Sequence, residues 1–303
     1  MRAIVAIRSL EDNSYFAEKS KRIFGDVTYL PKRPKEEELE FLLSEYEVII
    51  IGAREKISRE MLEGRTIKTC IIGTLSVGTD HLDMDALAEH NIHVERCPTA
   101  NVRSVAEHAL ALILALAKCL KWGDILVANR NPRSDLPSLP TEVQGKTLGL
   151  IGYGNIGGTL GSLASLLGMT VIATSRSRQS GSSGAVEFGT LETILAKSHF
   201  VSISVPLTPE TRDLLNFRSF DSMRKGAILV NTSRVEVVVE NDLSAALDSG
   251  RLGGYGGDYD GGNHELAKRP NVILTPHMAG LTVESNDRLD NELIDRLSEY
   301  LAK

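Results

Sequence analysis

Three glycines, an arginine, an aspartate and a histidine are the residues of this chain whose spacing points most clearly to chemistry. Leu148 to Gly157 runs Leu-Gly-Leu-Ile-Gly-Tyr-Gly-Asn-Ile-Gly, so Gly152, Gly154 and Gly157 fit G-x-G-x-x-G. Each glycine has its own physical reason. Gly152 permits a tight turn out of a strand, Gly154 lets the backbone approach a pyrophosphate, and Gly157 lets the next helix pack close to the sheet. The anion then rests on free N–H groups at the positive end of the helix dipole. An apolar strand before the turn, a helix after it and a second strand ending at Thr174 complete the unit, which predicts dinucleotide binding through Gly152, Tyr153, Gly154, Asn155, Ile156 and Gly157.

The end of that second strand selects the dinucleotide. A carboxylate there accepts from the ribose 2′-hydroxyl of NAD. This chain has Ser175, followed by Arg176, Ser177 and Arg178. No carboxylate repels a 2′-phosphate there, and two guanidiniums can grip one, so NADP is expected in preference to NAD. Farther on, Arg234 follows a strand end in Asn231-Thr232-Ser233-Arg234, and His277 follows one in Thr275-Pro276-His277, with Asp258 between them. The carboxyl ends of parallel strands are where open α/β sheets bind ligands. A ketone that takes a hydride needs a proton, and a histidine titrates near neutrality. An arginine fork holds a carboxylate and polarises the carbonyl beside it.

The elements that must hold these residues alternate. Short apolar strands at Ala3–Ile7, Val27–Leu30, Val48–Ile51 and Thr69–Ile72 are separated by helical patterns at Glu11–Phe24 and Glu36–Leu43, with another helix at Met84–His90. Asn101 or Ser104 is positioned to cap a long helix reaching about Leu120, and the polar, proline-bearing stretch Asn129–Pro140 reads as an exposed connection. A second alternation has strands at Thr147–Ile151, Val171–Thr174, Phe200–Val205, Ile228–Asn231, Gly253–Tyr259 and Val272–Thr275. Its helices are at Gly157–Leu167 and Glu240–Ser249, Arg176–Gly184 reads as a loop, and Asn286–Leu301 is a closing helix. Strands separated by helices predict parallel sheets covered on both faces.

Composition sets the outer limits. The 303 residues carry 34 Lys and Arg against 40 Asp and Glu, a net charge of −6 with no basic block, which gives no support for a nucleic-acid partner. The longest apolar run, Ala109–Ala117, is far short of the ~20 residues that cross a bilayer. Only five apolar residues follow Met1-Arg2, too few for a secretory segment. Cys70, Cys97 and Cys119 are too few and scattered for a disulfide framework or a zinc site. A cytoplasmic protein with no membrane or metal partner is expected, of two domains by length.

The chain resembles the D-isomer-specific 2-hydroxyacid dehydrogenases. Ser76-Val77-Gly78-Thr79-Asp80-His81-Leu82-Asp83 is similar to the family's substrate loop. Asn101 and Ser104-Val105-Ala106-Glu107-His108 are similar to the start of its interdomain helix. The stretch from Gly145 to Gly157, then Pro206-Leu207-Thr208-Pro209-Glu210-Thr211, Asn231-Thr232-Ser233-Arg234 and Asn271 to His277, complete the likeness, which runs from about residue 48 to 285. The resemblance implies two doubly wound parallel-sheet α/β domains. A Rossmann cofactor domain, 99–277, would be inserted in a flavodoxin-like substrate domain made of 1–98 plus 278–303. It also implies that the amides of Val77 and Gly78 hold the substrate carboxylate and that Asn101 contacts the substrate. Arg234 would clamp the same substrate, and His277 would be the acid in reduction and the base in oxidation. Asp258 would sit by the nicotinamide carboxamide, with Pro206 and Thr232 at the cofactor. The resemblance further implies a homodimer packed through the cofactor domain near the 101–121 helix, and a domain closure that would exclude water from the hydride transfer.

Two departures stand out. The family carries a Glu after the Asp, which bonds the catalytic His and raises its pKa. Here the segment is Asp258-Tyr259-Asp260-Gly261-Gly262-Asn263-His264-Glu265, so Asp260, Asn263 or Glu265 would have to serve. Val235 stands where the family commonly has Gly after the Arg, so the loop carrying Arg234 is expected to run differently. The expected activity is hydride transfer between NADP, or NAD, and a small 2-oxo or D-2-hydroxy acid, of the glyoxylate or hydroxypyruvate kind. Arg54 and Lys56, placed toward a second anionic group, would instead favour a phosphoglycerate-type substrate. A weakly catalytic NAD(P)-responsive binding protein is the alternative of another class. An appended regulatory domain after residue 303 is not expected.

Overall fold

The structure, a computed structural model, describes residues 1–176, 181–183, 186–259 and 264–303. The chain divides into two compact units, Met1–Asn101 with Thr282–Lys303, and Val102–Leu281. Both crossings lie a few residues later than the sequence suggests. Cys97 and Ala100 pack into the first unit's core beside Leu293 and Leu297. Met278 and Ala279 are instead tied to Asp258 of the second unit.

The first unit holds strands β1 (Arg2–Val5), β2 (Asp26–Tyr29), β3 (Val48–Gly52), β4 (Ile71–Leu75) and β5 (His93–Arg96) in the order β2-β1-β3-β4-β5, all parallel. This is the flavodoxin-like order. The central strands bury both faces, which is why Val48–Ile51 is apolar without alternation. The helix expected from Glu11 starts at Ser14. Asn13 accepts from the Phe16 amide and caps it, after a separate 3-10 turn at Arg8–Glu11. The last helix, Val283–Leu301, begins three residues earlier than expected because the Thr282 hydroxyl caps it on the Ser285 amide.

The second unit holds β6 (Thr147–Ile151), β7 (Thr170–Thr174), β8 (Gly181–Ser183), β9 (Val186–Phe188), β10 (Phe200–Ile203), β11 (Ala227–Asn231), β12 (Leu252–Asp258) and β13 (Val272–Thr275). Their order is β13-β12-β11-β10-β6-β7-β9-β8. Counted within the unit, its first six parallel strands follow the Rossmann order, with β13 added beyond the sixth. The topology reverses between β6 and β10, where such sheets bind nucleotides. One strand departs from the parallel pattern: β8 runs antiparallel to β9 inside the stretch read as a loop. The open edge of β9 supplies the pairing that the Ser/Gly sequence alone does not suggest.

The helix Val102–Ala117 lies close over this sheet because β12 is glycine-rich. A Cβ on Gly256 would stand 3.1 Å from Leu112, and one on Gly254 3.3 Å from Leu116. Ala106, Ala109, Leu112, Ile113 and Leu116 recur at helical spacing and fill that core. The helix stops at Ala117, short of the expected Leu120. Cys119 takes a left-handed conformation and a second helix, Leu120–Ala128, follows. Among the described residues, no helix is long and apolar enough to cross a membrane.

Candidate active site

The glycine turn leaves the carboxyl end of β6. Gly152 has φ +96°, and a Cβ there would meet the Ser204 carbonyl at 2.7 Å. A Cβ on Gly157 would reach the Gly152 carbonyl at 2.2 Å, so the helix Asn155–Leu166 rests directly on the turn. A Cβ on Gly154 would meet nothing within 4 Å. That open face, at a helix N-terminus with no side-chain cap, is what close approach of a diphosphate needs. The Asn155 side chain is exposed. Tyr153 turns away, its ring edge-on to Phe188 at 5.1 Å, so only its backbone stays with the turn.

Two buried hydroxyl oxygens at the ends of neighbouring strands have no hydrogen-bond partner among the described residues: Ser204 Oγ after β10, next to the turn, and Thr232 Oγ1 after β11. Buried hydroxyls are normally paired, so these two mark a place for ligand polar groups. The residues present therefore fit a dinucleotide. Beyond β7, Ser175 is half-buried and Arg176 is exposed. Arg178 lies outside the described residues. The Glu210 carboxyl is held low by the Thr208 hydroxyl, then by its own backbone amide, and the positive charge of Arg176 lowers it further. Arg176 and Glu210 thus stand within each other's field, with exposed Pro206 opening the loop that carries Glu210.

Arg234, Asp258 and His277 come from the ends of three neighbouring strands, β11, β12 and β13. Strands β11 and β13 are about 10 Å apart at the usual strand spacing. Asn231 shapes the Arg234 loop: its Nδ2 donates to the Arg234 carbonyl at 2.8 Å and its Oδ1 accepts from the Ser233 amide at 3.0 Å. Val235 opens a 3-10 turn at Val235–Val237, so the loop absorbs the branched side chain without a positive φ. His277 is exposed with φ +52°, and its amide donates to the Thr275 carbonyl at 3.0 Å. Its turn is held from below. Asp258, 3% exposed, accepts from the Thr275 hydroxyl at 2.5 Å, the Met278 amide at 2.9 Å and the Ala279 amide at 2.8 Å. Lys121 fixes the approach to β13 by donating to the carbonyls of Ala267, Arg269 and Val272 at 2.6, 3.0 and 2.8 Å. Burial pushes that ammonium's pKa down.

Of the three residues that stood for the family's Glu, Asp260 and Asn263 lie outside the described residues. Glu265 is exposed and pairs with Lys268 at 2.6 Å within its own short helix. Among the described residues, no hydrogen bond reaches the His277 ring, and no group of three or more His, Cys, Asp or Glu is arranged to hold a metal.

In the first unit, side chains hold the carbonyls of the loop after β4. Arg96 donates to the Val77 carbonyl at 2.7 Å and the Ser76 hydroxyl to the Gly78 carbonyl at 2.7 Å. No bond among the described residues takes the amides of Val77 or Gly78. Paired free amides of this kind suit a carboxylate. The Asn101 Oδ1, at the end of this unit, is buried with no hydrogen-bond partner among the described residues. Arg54 and Lys56 are exposed after β3, in a loop shaped by Glu55, which accepts from the Gly52 amide and pairs with Arg33 at 2.6 Å.

Sequence reasoning missed three participants. His108 is the lone polar ring in an apolar helix; Thr275 reads only as a strand end; Glu55 sits unremarked between two cations. Their common signal is an isolated polar residue at an element's end or on its buried face, which composition alone does not separate from a surface charge.

A β-α-β dinucleotide turn, with an arginine and a histidine on the same edge of the sheet, defines a dinucleotide-binding class of fold. The family model for the D-isomer specific 2-hydroxyacid dehydrogenase NAD binding domain matches residues 110–279. The chain belongs to that family. It is 31% identical to a putative D-3-phosphoglycerate dehydrogenase of Schizosaccharomyces pombe, over 98% of this chain and 65% of that protein. It therefore spans just under two thirds of that relative's length. It is 32% identical to a hydroxypyruvate reductase of Thermotoga maritima, over 88% of this chain and 89% of that one. Among solved structures, an acyclic imino acid reductase in complex with NADPH and D-Arg superposes with a TM-score of 0.90 at 28% identity, covering 100% of this chain and 97% of that one.

Proposed function

We propose that this chain reduces small 2-oxo acids to D-2-hydroxy acids with NADP in preference to NAD. The observation that carries the reading is the shared edge of one parallel sheet: an open-faced glycine turn on β6, Arg234 after β11 and His277 after β13. The bound nicotinamide supplies or takes the hydride. Gly154 and the first amides of the helix Asn155–Leu166 hold its diphosphate, while the Ser204 and Thr232 hydroxyls bond its sugar or phosphate oxygens. The second lone pair of Asp258 Oδ2 is available to a carboxamide N–H. Arg176 and Arg178 hold the 2′-phosphate, and the missing carboxylate at Ser175 supports that preference.

The amides of Val77 and Gly78 take the substrate carboxylate, and Asn101 contacts the same substrate. Arg234 fixes the carboxylate and the 2-oxo oxygen in one plane. A ring N–H of His277 gives its proton to the developing alkoxide during reduction and recovers it in oxidation. Exposed Leu120, Val127 and Leu139 support a homodimer through the second unit, and a cytoplasmic location completes the proposal.

Arg54 and Lys56 favour a second reading, a phosphoglycerate-type substrate. Both are exposed cations with no ion pair among the described residues. The test is a substrate panel followed by reduced-cofactor absorbance: glyoxylate, hydroxypyruvate, pyruvate and a phosphorylated 2-oxo acid, each with NADPH and NADH, and each with and without ammonium. Turnover of the small acids with NADPH is expected. Preference for the phosphorylated acid would move the assignment to the second reading. A 2-amino product formed only with ammonium would move it to imine reduction. No turnover, in protein that still binds either cofactor, would leave the NAD(P)-responsive binding protein.

A further inference from the structure

We infer that His108, Thr275 and Asp258 form a positioning relay that holds the backbone turn presenting His277. This goes beyond the proposed 2-oxo acid reduction and rests on that reading for its kinetic consequence. His277 carries φ +52°, a conformation that side chains other than glycine seldom keep unless their surroundings impose it. The surroundings here are specific. The next two amides, Met278 and Ala279, both donate to the buried Asp258 carboxylate, one to each oxygen.

The carboxylate is itself fixed from the side. Thr275 Oγ1 lies 2.5 Å from Asp258 Oδ1 and 2.9 Å from His108 Nε2. Asp258 Oδ1 also accepts from the Met278 amide, so it is the acceptor here and the threonine hydroxyl donates to it. The hydroxyl has only one proton, so the contact with His108 requires the histidine to donate from Nε2. The tautomer of His108 is thereby set, and the donor order runs His108 to Thr275 to Asp258. His108 Nε2 stands 3.9 Å from Asp258 Oδ1, too far to bond it directly, so the threonine is the necessary middle member. The small residues of β12 let the helix bearing His108 come close enough to join the chain. Neither His108 nor Thr275 is placed on substrate or cofactor, and Asp258 is placed only on the carboxamide, away from the reacting atoms. They act on His277 through its backbone.

The experiment compares Thr275→Val, Thr275→Ser and His108→Leu with the wild type in two readouts. The first is amide hydrogen exchange at Met278 and Ala279 in the free protein. Thr275→Val should speed it about tenfold or more, since loss of one charge-assisted hydrogen bond is of that order. His108→Leu should act in the same direction, and Thr275→Ser should stay near wild type. The second is steady-state kinetics. Thr275→Val should lower kcat about 10- to 100-fold, with substrate KM and cofactor Kd within about threefold, because a displaced acid costs the chemical step and not binding.

Exchange unchanged in both Thr275→Val and His108→Leu would overturn the relay. So would Thr275→Ser behaving like Thr275→Val, or faster exchange with undiminished kcat. If Thr275→Val fails to fold, His108→Leu decides the first readout alone. If the wild type turns over no 2-oxo acid, the functional reading falls while the exchange result still tests the relay.

Discussion

Gly154 and Gly157 lie three residues apart in one turn and should fail in opposite ways when each becomes alanine. At Gly154 the backbone is extended, at φ −95° and ψ −156°, which alanine adopts freely, and the added methyl meets nothing within 4 Å. Alanine is a poorer N-cap than glycine by up to about 1 kcal/mol, and stiffening the unfolded chain returns ~0.4–1 kcal/mol. Stability should therefore change by less than about 1 kcal/mol, a Tm shift of about 3 °C or less. The methyl instead fills the face where a diphosphate must meet backbone amides. Losing one hydrogen bond to a charged oxygen costs about 1.5–3 kcal/mol, a Kd increase of roughly 10- to 150-fold. At Gly157 the methyl would lie 2.2 Å from the Gly152 carbonyl, so the helix must shift even without ligand. Overpacking of this kind costs about 1–3 kcal/mol and lowers Tm by about 3–9 °C. Differential scanning fluorimetry and cofactor titration by nicotinamide fluorescence measure the two effects. NADPH and NADH binding within twofold of wild type in Gly154→Ala would refute the reasoning. So would a Tm loss equal to that of Gly157→Ala.

Three further outcomes are expected. Arg176→Ala should raise the NADPH Kd about tenfold and leave NADH unchanged, by loss of a charge-assisted pair with the 2′-phosphate; an equal change for both cofactors would contradict the assignment. Burial pushes the Glu95 carboxyl up, but hydrogen bonds from His93 and Arg296 outweigh it and hold the group below its ordinary 4.5. A lowered folded value stabilises above the unfolded value and is lost as pH falls through the folded one. Glu95→Gln should therefore lower urea-unfolding stability at neutral pH, and its deficit should vanish well below pH 4.5. Tyr259 donates to the buried Tyr255 hydroxyl at 3.2 Å, so Tyr259→Phe should cost about 1–2 kcal/mol, read as a lower urea midpoint with an unchanged slope.

The parts of the fold written most plainly in sequence are those where a single residue type is physically required. Gly152, Gly154 and Gly157 each answer a separate steric demand, so the turn and its flanking strand and helix are visible from residue types alone. The strand β5 is not: His93-Val94-Glu95-Arg96 is short, polar and at a sheet edge, and its pairing with β4 supplies the order that its composition lacks. The break at Cys119 is equally hidden, because Ala117-Lys118-Cys119-Leu120 contains neither glycine nor proline and a left-handed cysteine leaves no mark in the pattern. The site divides the same way. Arg234 and His277 are legible because they follow apolar strands directly. The hold on His277 is not, since it joins residues 108, 258 and 275 through contacts that only the packing of a helix on glycine-rich β12 creates.

Transfer of label from cofactor to product tests the central claim most directly. Protein incubated with hydroxypyruvate or glyoxylate and NADPH deuterated at nicotinamide C4 would be followed by mass spectrometry of the hydroxy acid. One deuterium is expected at C2 of the product, delivered by the wild type and reduced at least about 100-fold in His277→Asn, as when a proton-donating group is removed. A wild-type product without deuterium, or equal labelling by the His277→Asn variant, would contradict the claim.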